Sequence, residues 1–235
     1  MRLLVFQHSA GEPPAAFGAH ALAAGDTLHT VHLYVGAPIP DLSAFEALLV
    51  MGGPMDVWEE DTHPWLVPEK LAIREWYETG KPYLGICLGH QLLAEALGGQ
   101  CRKMAKPEIA VSAVKTSNTK NDPLFTDQPE SFAAMHWHGV EVTIPPDDAR
   151  ILGASQGCAN QIMRVGLQAW GLQFHPEIEP GTITKWMDDP ANIACASEWL
   201  GSDAAVWAFV DDAERQAGQF MDRSRALYRA FRAQC

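Results

Sequence analysis

The stretch Pro82-Tyr83-Leu84-Gly85-Ile86-Cys87-Leu88-Gly89-His90-Gln91 joins a short apolar run to a predicted helix. The apolar run, Pro82–Ile86, is typical of a buried strand, and the helix predicted over Leu88–Leu97 ends at Gly98-Gly99. A Gly-x-Cys-x-Gly sequence at a strand-to-helix turn has the pattern of a nucleophile elbow in which cysteine replaces serine. It predicts a thiol at the carboxyl edge of a parallel sheet, where α/β proteins bind ligands. A tight turn with a buried cysteine is an equally good interpretation of this motif alone.

Each residue type in this turn has a physical role. Gly85 and Gly89 let the strand and the helix approach where a Cβ would clash. The amino end of the helix supplies a positive field that favours the thiolate form of Cys87. The backbone N–H of Leu88 is expected to point toward the oxygen of an attacked carbonyl group.

The sequence before this turn repeats the alternation of strands and helices. Apolar or β-branched runs at Leu3–Phe6, Leu28–Tyr34 and Ala47–Met51 are separated by helical segments at Ala15–Ala24 and Pro64–Tyr77. Short apolar strands that alternate with helices indicate a parallel sheet covered on both faces. The first hundred residues therefore predict a doubly wound α/β core.

The second half of the chain predicts an antiparallel extension of the same sheet. Six short β-like segments follow at close spacing, and no linker rich in serine or glycine precedes them. They are Ile109–Lys115, Ser131–Trp137, Val140–Ile144, Ile151–Ser155, Gln161–Val165 and Leu167–Phe174. An amphipathic helix is predicted at about residues 203–231, with arginines at its end, as the helix dipole favours. We expect residues 1–235 to form a single domain on which this helix packs; a partner-binding helix is the less favoured interpretation.

A thiolate that attacks an acyl group needs a base and a group that orients the base. His175 ends the last predicted strand, and Pro176 favours an extended backbone at His175. Glu177 lies two residues beyond His175 and can hold its imidazole ring. His90 lies one turn past Cys87 on the same helix and is expected to pack rather than to act. A histidine at a strand end is more often structural, but beside the elbow His175 and Glu177 become the predicted base and orienting acid.

A second donor for the developing oxyanion is predicted in the turn Gly52-Gly53-Pro54-Met55. This turn follows the apolar run Ala47–Met51 and so lies at the same sheet edge. Glycine at this place lets a backbone N–H face a ligand closely. A plain turn is the alternative, since Gly-Gly-Pro signals one by itself.

The chain resembles the class I, or triad, glutamine amidotransferase family. The likeness rests on four motifs that occur in the family's order and cover most of the chain. They are Gly-Gly-Pro-Met from Gly52, the elbow at residues 85–91, Trp137-His138-Gly139 and the segment Gln173 to Glu177. The resemblance implies an α/β, flavodoxin-like three-layer sandwich with a mainly parallel central sheet. It also implies that Cys87 attacks the side-chain amide of glutamine, forms a glutamyl thioester and releases ammonia, with His175 as base and acid and Glu177 orienting it.

The resemblance also implies which groups hold the substrate. The oxyanion N–H groups would come from Gly53 and Leu88. Five residues would hold glutamine: Met55, Gln91, His138, Gly139 and Val140. The sequence departs from the family pattern at Val140, where the family often has Asp after His-Gly, and at Ala110, where it has Gly. Neither departure touches the triad.

The composition favours small-molecule chemistry. The chain of 235 residues has 17 Lys and Arg against 29 Asp and Glu, a net charge of −12, which disfavours nucleic-acid and polybasic membrane contacts. The five cysteines form no CxxC pair and indicate neither a disulfide framework nor a zinc finger. No secretory signal, membrane-spanning run or phosphate-binding loop is visible. We expect a cytoplasmic protein without a cofactor.

Four functions stay open on the sequence alone. The first is a stand-alone glutamine amidotransferase, free or paired with a separate synthetase subunit, that releases ammonia for an unknown acceptor. The second is a γ-glutamyl peptidase or hydrolase, which uses the same triad on a different leaving group. A binding module with an inactive site is less favoured, because the triad residues are all present. A metal site at His136 and His138 is also less favoured, because no third ligand lies at a telling spacing.

Overall fold

The computed structural model describes residues 1–235 and contains nine strands and six α-helices. The strands are β1 (Arg2–Gln7), β2 (Thr27–His32), β3 (Ala47–Val50), β4 (Tyr83–Ile86), β5 (Gln100–Thr116), β6 (Ser131–Ile144), β7 (Ala149–Ala154), β8 (Ile162–Val165) and β9 (Ala169–Leu172). The helices are α1 (Ala15–Ala23), α2 (Leu66–Glu78), α3 (Leu88–Ala96), α4 (Thr182–Trp186), α5 (Pro190–Leu200) and α6 (Asp203–Arg232). None of these helices combines the length and the apolar character that a membrane crossing needs.

All nine strands belong to one sheet in the order β2-β1-β3-β4-β9-β8-β7-β5-β6. The strands from β2 to β9 in this order pair in parallel. The remaining strands pair antiparallel, beginning with β8 against β9. The predicted α/β fold, with a parallel core and an antiparallel extension of the same sheet, is confirmed.

The parallel strands are buried because helices cover both faces of the sheet. Leu4 and Phe6 of β1 pack on one face, in the hydrophobic cluster that contains buried residues of α2 and α3. Leu3 and Val5 point to the opposite face and pack with residues of α1 and α6. This alternation along one strand produces the three layers and brings the carboxyl ends of β1, β3, β4 and β9 to one edge.

The hairpin of β5 and β6 is longer than the sequence pattern indicated. Strand β5 begins at Gln100, well before the predicted start at Ile109, and β6 joins the two segments that were predicted separately. The pairing shifts register between Lys103 and Glu108. The residues inserted at this shift include Pro107, which breaks the alternation on which the strand prediction depends.

The polypeptide between β9 and α6 forms two helices that the sequence analysis did not predict. Asp189 caps the start of α5 by accepting a hydrogen bond from the Ala191 N–H, and Pro190 occupies its first turn. Such an Asp-Pro pair is a recognised helix start signal. Only Ala196 of α5 is buried, so the helix lacks the apolar periodicity that would have revealed it.

Candidate active site

Cys87 lies at a strained turn between β4 and α3. Its backbone has φ 49° and ψ −102°, a conformation that costs a non-glycine residue about 1–3 kcal/mol and that is found most often at functional sites. A Cβ on Gly85 would lie 2.4 Å from the Gly89 carbonyl oxygen, and one on Gly89 would lie 2.3 Å from that of Val50. Both glycines are therefore required for the close approach of strand and helix, as the sequence analysis expected.

His175 and Glu177 form a buried pair beside Cys87. The His175 Nδ1–H donates to Glu177 Oε1 at 2.8 Å, which leaves the Nε2 atom for a second partner. Burial alone would lower the pKa of His175, but the charges of Glu177 and Cys87, together with the hydrogen bond to Glu177, raise it well above its ordinary value. A base with this environment can carry the proton of the Cys87 thiol.

One cleft brings the thiol, the imidazole and the Gly53 turn together. Cys87, His175 and Gly53 line it, and Trp137 and Trp186 contribute its aromatic walls. The cleft has a volume of about 240 Å³. The three predicted residues come from the ends of β4, β9 and β3, so their meeting follows directly from the parallel order of these strands.

Two backbone N–H groups near the thiol have no partner within the protein. Leu88 is the first residue of α3, so its N–H has no carbonyl partner in the helix. The Gly53 N–H takes part in none of the backbone hydrogen bonds of the turn. A Cβ on Gly53 would lie 2.8 Å from Leu88 Cδ2, which shows that the two residues are adjacent. The arrangement can accept the charge of an oxyanion.

The residues predicted to hold glutamine lie at different depths. Met55, Gln91 and Val140 are buried, and the Val140 carbonyl already accepts hydrogen bonds from Gln91 Nε2 at 3.3 Å and His138 Nδ1 at 3.1 Å. Gly139 is exposed beside the register shift of β5. None of the five residues lines the cleft with Cys87; His138 and Gly139 instead line a separate pocket that shares Trp137 with this cleft.

Gln173 connects this buried layer with the nucleophile. Its Nε2 donates to Cys87 Sγ at 3.6 Å, and its Oε1 accepts from Gln91 Nε2 at 3.2 Å. Gln173 begins the motif that ends at Glu177, but its sequence pattern predicts no role for this side chain. These two hydrogen bonds connect the Gln91 side chain to the Cys87 sulfur atom through Gln173.

Several cleft residues were missed by the sequence analysis. They are Ser9, Gly11, Glu12, Trp186, Asp189 and Asn192. Burial, aided by the negative charge of Glu177, raises the pKa of Glu12 to about 7, although the charges of His175 and His8 oppose the shift. Glu12 lies in a polar loop rich in Gly and Pro, where no periodic pattern marks any side chain as functional. The only local signal is a carboxylate close after a strand that belongs to the parallel core.

His136 and His138 face a third residue, Glu108, which the sequence analysis did not connect with them. Glu108 Oε2 lies 3.4 Å from His138 Nε2 and 3.9 Å from His136 Nδ1. Histidine and glutamate are zinc ligands. The same oxygen, however, already accepts hydrogen bonds from Ser155 Oγ at 2.8 Å and Gln161 Nε2 at 2.9 Å. These bonds favour a buried polar network that holds His138 beneath Gly139.

The comparison with known protein families agrees with this geometry. The family model for class-I glutamine amidotransferases matches residues 24–189. The chain belongs to this amidotransferase family. The predicted family resemblance is thus confirmed, and the domain is that of an enzyme, as predicted.

The relatives of this amidotransferase include both a separate polypeptide and one part of a longer protein. The chain is 33% identical over 153 residues to a polypeptide of the glutamine-hydrolyzing GMP synthase of Sulfolobus acidocaldarius, which covers 65% of this chain and 78% of the relative. It is 35% identical over 139 residues, 59% of this chain, to the GMP synthase of Thermotoga maritima, but spans only 25% of that protein. The crystal structure of a glutamine amidotransferase from Thermotoga maritima has a TM-score of 0.87 at 25% identity, over 98% of both chains.

Proposed function

We propose that this protein hydrolyses the side-chain amide of glutamine through a thioester on Cys87 and releases ammonia. The observation that carries the proposal is the 2.8 Å bond from His175 Nδ1 to Glu177, which fixes the imidazole in the cleft that Cys87 lines. A nucleophile, a base and an orienting carboxylate in this order are the elements of a catalytic triad. Family membership supports glutamine as the acyl donor.

The proposed reaction has two halves that use the same imidazole. The Cys87 thiolate attacks the amide carbon, and the Gly53 and Leu88 N–H groups stabilise the oxyanion. The tetrahedral intermediate collapses, the C–N bond breaks, and His175 gives its proton to the departing nitrogen, which leaves as ammonia. His175 then takes a proton from water, the water oxygen attacks the thioester, and glutamate leaves as the thiol is restored.

We propose that the acceptor of the ammonia lies on a separate synthetase subunit. The relative from Sulfolobus acidocaldarius is named as one subunit of a glutamine-hydrolyzing GMP synthase. The relative from Thermotoga maritima carries the matching segment within a much longer chain. We infer from these two arrangements that the acceptor site lies outside the segment that the three proteins share.

The shape of the cleft supports a second candidate, hydrolysis of other γ-glutamyl compounds. The cleft extends past His175 to Ser9, Asp189 and Asn192, which leaves polar space for a leaving group larger than ammonia. A γ-glutamyl amine or peptide presents the same acyl half to Cys87. The chemistry of the triad is unchanged, and only the departing amine differs.

Product analysis with the purified chain separates the two candidates. Glutamine, glutathione and γ-glutamyl dipeptides are incubated with the protein, and ammonia, glutamate and free amines are measured. Ammonia from glutamine supports the amidotransferase, whereas a freed amine or peptide supports the hydrolase. Cys87→Ala should lower either turnover by at least about 10³-fold, and Cys235→Ala, at an exposed cysteine away from the cleft, should leave it unchanged. Turnover that survives Cys87→Ala contradicts both candidates.

A further inference from the structure

His8 lies directly behind the Gly52-Gly53 turn, outside the triad. It follows β1, has 1% of its surface exposed, and its ring stacks on Trp65 at a centroid distance of 5.6 Å. Its Nδ1 lies 2.9 Å from the Gly52 carbonyl oxygen, and its Nε2 lies 2.8 Å from Glu69 Oε1. The ring therefore connects helix α2, which carries Glu69, with the loop that borders the cleft.

The two partners of His8 determine where its protons are. A carbonyl oxygen and a carboxylate oxygen both accept hydrogen bonds, so a hydrogen on each ring nitrogen satisfies both contacts. Burial alone would lower the pKa of His8, but the charge and hydrogen bond of Glu69, together with the bond to Gly52, raise it above its ordinary value. The two acceptor contacts and the raised pKa together favour the doubly protonated, positively charged form of His8, paired with Glu69.

The contact with Gly52 also determines the direction of the Gly53 N–H. The Gly52 carbonyl and the Gly53 N–H belong to one peptide unit, and the chain contains no cis peptide bond. In a planar trans peptide the C=O and the N–H point in opposite directions. A peptide whose oxygen is held by His8 therefore turns its N–H away from His8. Two glycines in sequence would otherwise allow this peptide to rotate freely.

We propose that His8, held by Glu69, is a positioning residue that locks the Gly52–Gly53 peptide with its N–H toward the oxyanion formed at Cys87. This inference rests on the proposed thioester chemistry, because that chemistry generates the oxyanion. The positive ring also lies behind the same peptide, where its field adds to that of the N–H dipole. His8 touches no substrate atom in this arrangement and acts only through the peptide.

A matched pair of double variants isolates the bond to Gly52. In both variants Glu69→Gln removes the buried negative charge, so neither leaves an unpaired ion. His8→Asn keeps an amide donor near the position of Nδ1, which faces Gly52. His8→Gln instead places its amide donor near the position of Nε2, which faces residue 69. The two double variants have the same charge. They differ only in whether the new amide donor replaces Nδ1, which faces Gly52, or Nε2, which faces residue 69.

The first readout is the kinetics of glutamine hydrolysis. Loss of an oxyanion donor lowers kcat by about 10²–10³-fold. The variant with His8→Gln should therefore lose about 10²-fold in kcat with little change in KM, and the variant with His8→Asn should stay within about 5-fold of the Glu69→Gln single variant. Thermal unfolding midpoints should be similar for the two double variants.

The second readout does not require turnover. A glutamine analogue that ends in a chloromethyl ketone alkylates the thiol through a carbonyl whose oxygen occupies the oxyanion position, whereas iodoacetamide reacts by direct displacement. Mass spectrometry measures both rates at Cys87. The variant with His8→Gln should react more slowly with the ketone only. A parallel loss with both reagents indicates general disorder of the site and overturns the inference.

The outcomes separate this inference from the proposed function. Equal kcat and equal ketone rates in the two double variants overturn the role of His8, even if the wild-type protein hydrolyses glutamine well. Failure of the wild-type protein to hydrolyse any γ-glutamyl compound contradicts the proposed function. In that case the ratio of the ketone rate to the iodoacetamide rate at Cys87 still tests whether His8 holds the Gly52–Gly53 peptide.

Discussion

The strained backbone at Cys87 connects the fold with the proposed chemistry. Its positive φ persists because the neighbouring hydrogen bonds fix the turn: the Cys87 N–H donates to the Leu172 carbonyl at 2.8 Å, and the Gly89 N–H donates to Met51 at 3.2 Å. Both acceptors lie at the ends of the strands that flank β4. The sheet itself thus holds the sulfur in the cleft, and the strain is compensated by the parallel core.

Glu177 gives the first prediction at the scale of single residues. Glu177→Gln keeps an oxygen that can accept from His175 Nδ1 but removes the charge that raises the pKa of His175. With a lower pKa, the imidazolium form is lost at a lower pH, and this form must protonate the departing ammonia. We expect kcat to fall by about 10²-fold or more and the alkaline limb of the pH–rate profile to move to lower pH.

Glu179→Gln is the control for this prediction. It removes the same charge two residues along the chain, where Glu179 makes hydrogen bonds through its backbone only: its N–H donates to Thr182 Oγ1, and its carbonyl accepts from the Thr182 N–H. Its pH–rate profile should match that of the wild-type protein. An unchanged alkaline limb in Glu177→Gln would show that Glu177 does not set the protonation of His175.

At the scale of elements, α4 and the loop before α1 form one wall of the cleft. Trp186, the last residue of α4, donates from Nε1 to the Gly11 carbonyl at 3.1 Å. Its ring also lies edge-on to His175, with centroids 5.4 Å apart. A single hydrogen bond thus joins two segments that are far apart in sequence, on either side of the candidate base.

Trp186→Phe tests this connection. Phenylalanine retains an aromatic ring but cannot donate to Gly11, so the loop that carries Glu12 should become more mobile. We expect KM for glutamine to rise by about 3–10-fold and the free energy of unfolding to fall by about 1 kcal/mol. Steady-state kinetics and urea unfolding measure these changes. Trp207→Phe, at an exposed position of α6, should change neither quantity.

The end of α6 depends on a buried carboxylate. Asp26 accepts hydrogen bonds from Tyr228 Oη and Arg232 Nε, each at 2.8 Å. Burial would raise the pKa of Asp26, but the bonds from Arg232, the terminal amine and Tyr228 lower it from 3.8 to about 2. Since the folded-state value is the lower one, this stabilisation is complete above about pH 4 and is lost as the pH falls toward 2.

Asp26→Asn should therefore destabilise the protein by about 2 kcal/mol at neutral pH. The difference from the wild-type protein should shrink as the pH falls from 4 toward 2, because the wild-type carboxylate becomes protonated over this range. Urea unfolding at several pH values measures both. Asp211→Asn, at an exposed position of α6, provides the control. A difference that stays constant down to pH 2 would exclude a role for the Asp26 charge.

The elements that could be predicted from the sequence are those with local signals. A few consecutive residues carry the whole signal for strands β3 and β4 and for the Gly-x-Cys-x-Gly turn. The predicted positions of these elements therefore agree with the structure. Helix α5 was not predicted because it buries little apolar surface. The hairpin of β5 and β6 was underestimated because its pairing depends on a register shift that no local pattern encodes. Glu12 was missed for a related reason: only the folded chain shows that its loop reaches His175.

For the whole molecule, the cleft is built from segments that lie far apart along the chain. Its walls come from the loop after β1, the turn after β3, the β4–α3 elbow, β6, the end of β9 and the polypeptide around α4 and α5. A ligand in the cleft therefore contacts the sheet and the overlying segments at once. Since such a ligand cannot bind the unfolded chain in this manner, it should stabilise the whole fold.

Thermal unfolding of Cys87→Ala in the presence of glutamine tests this prediction without turnover. At a glutamine concentration of 100 times Kd, the stabilisation is about 2.7 kcal/mol. For a chain of this length each kcal/mol raises Tm by about 2–4 °C, so we expect a rise of about 5–10 °C. The side chain of asparagine is one methylene shorter, so it cannot place its amide at residue 87 while its amino and carboxyl groups occupy the same positions as those of glutamine. We therefore expect asparagine to raise Tm by less than glutamine does at equal concentration. Equal shifts with both amino acids would mean that the cleft does not select the glutamine side chain, whatever the triad can do chemically.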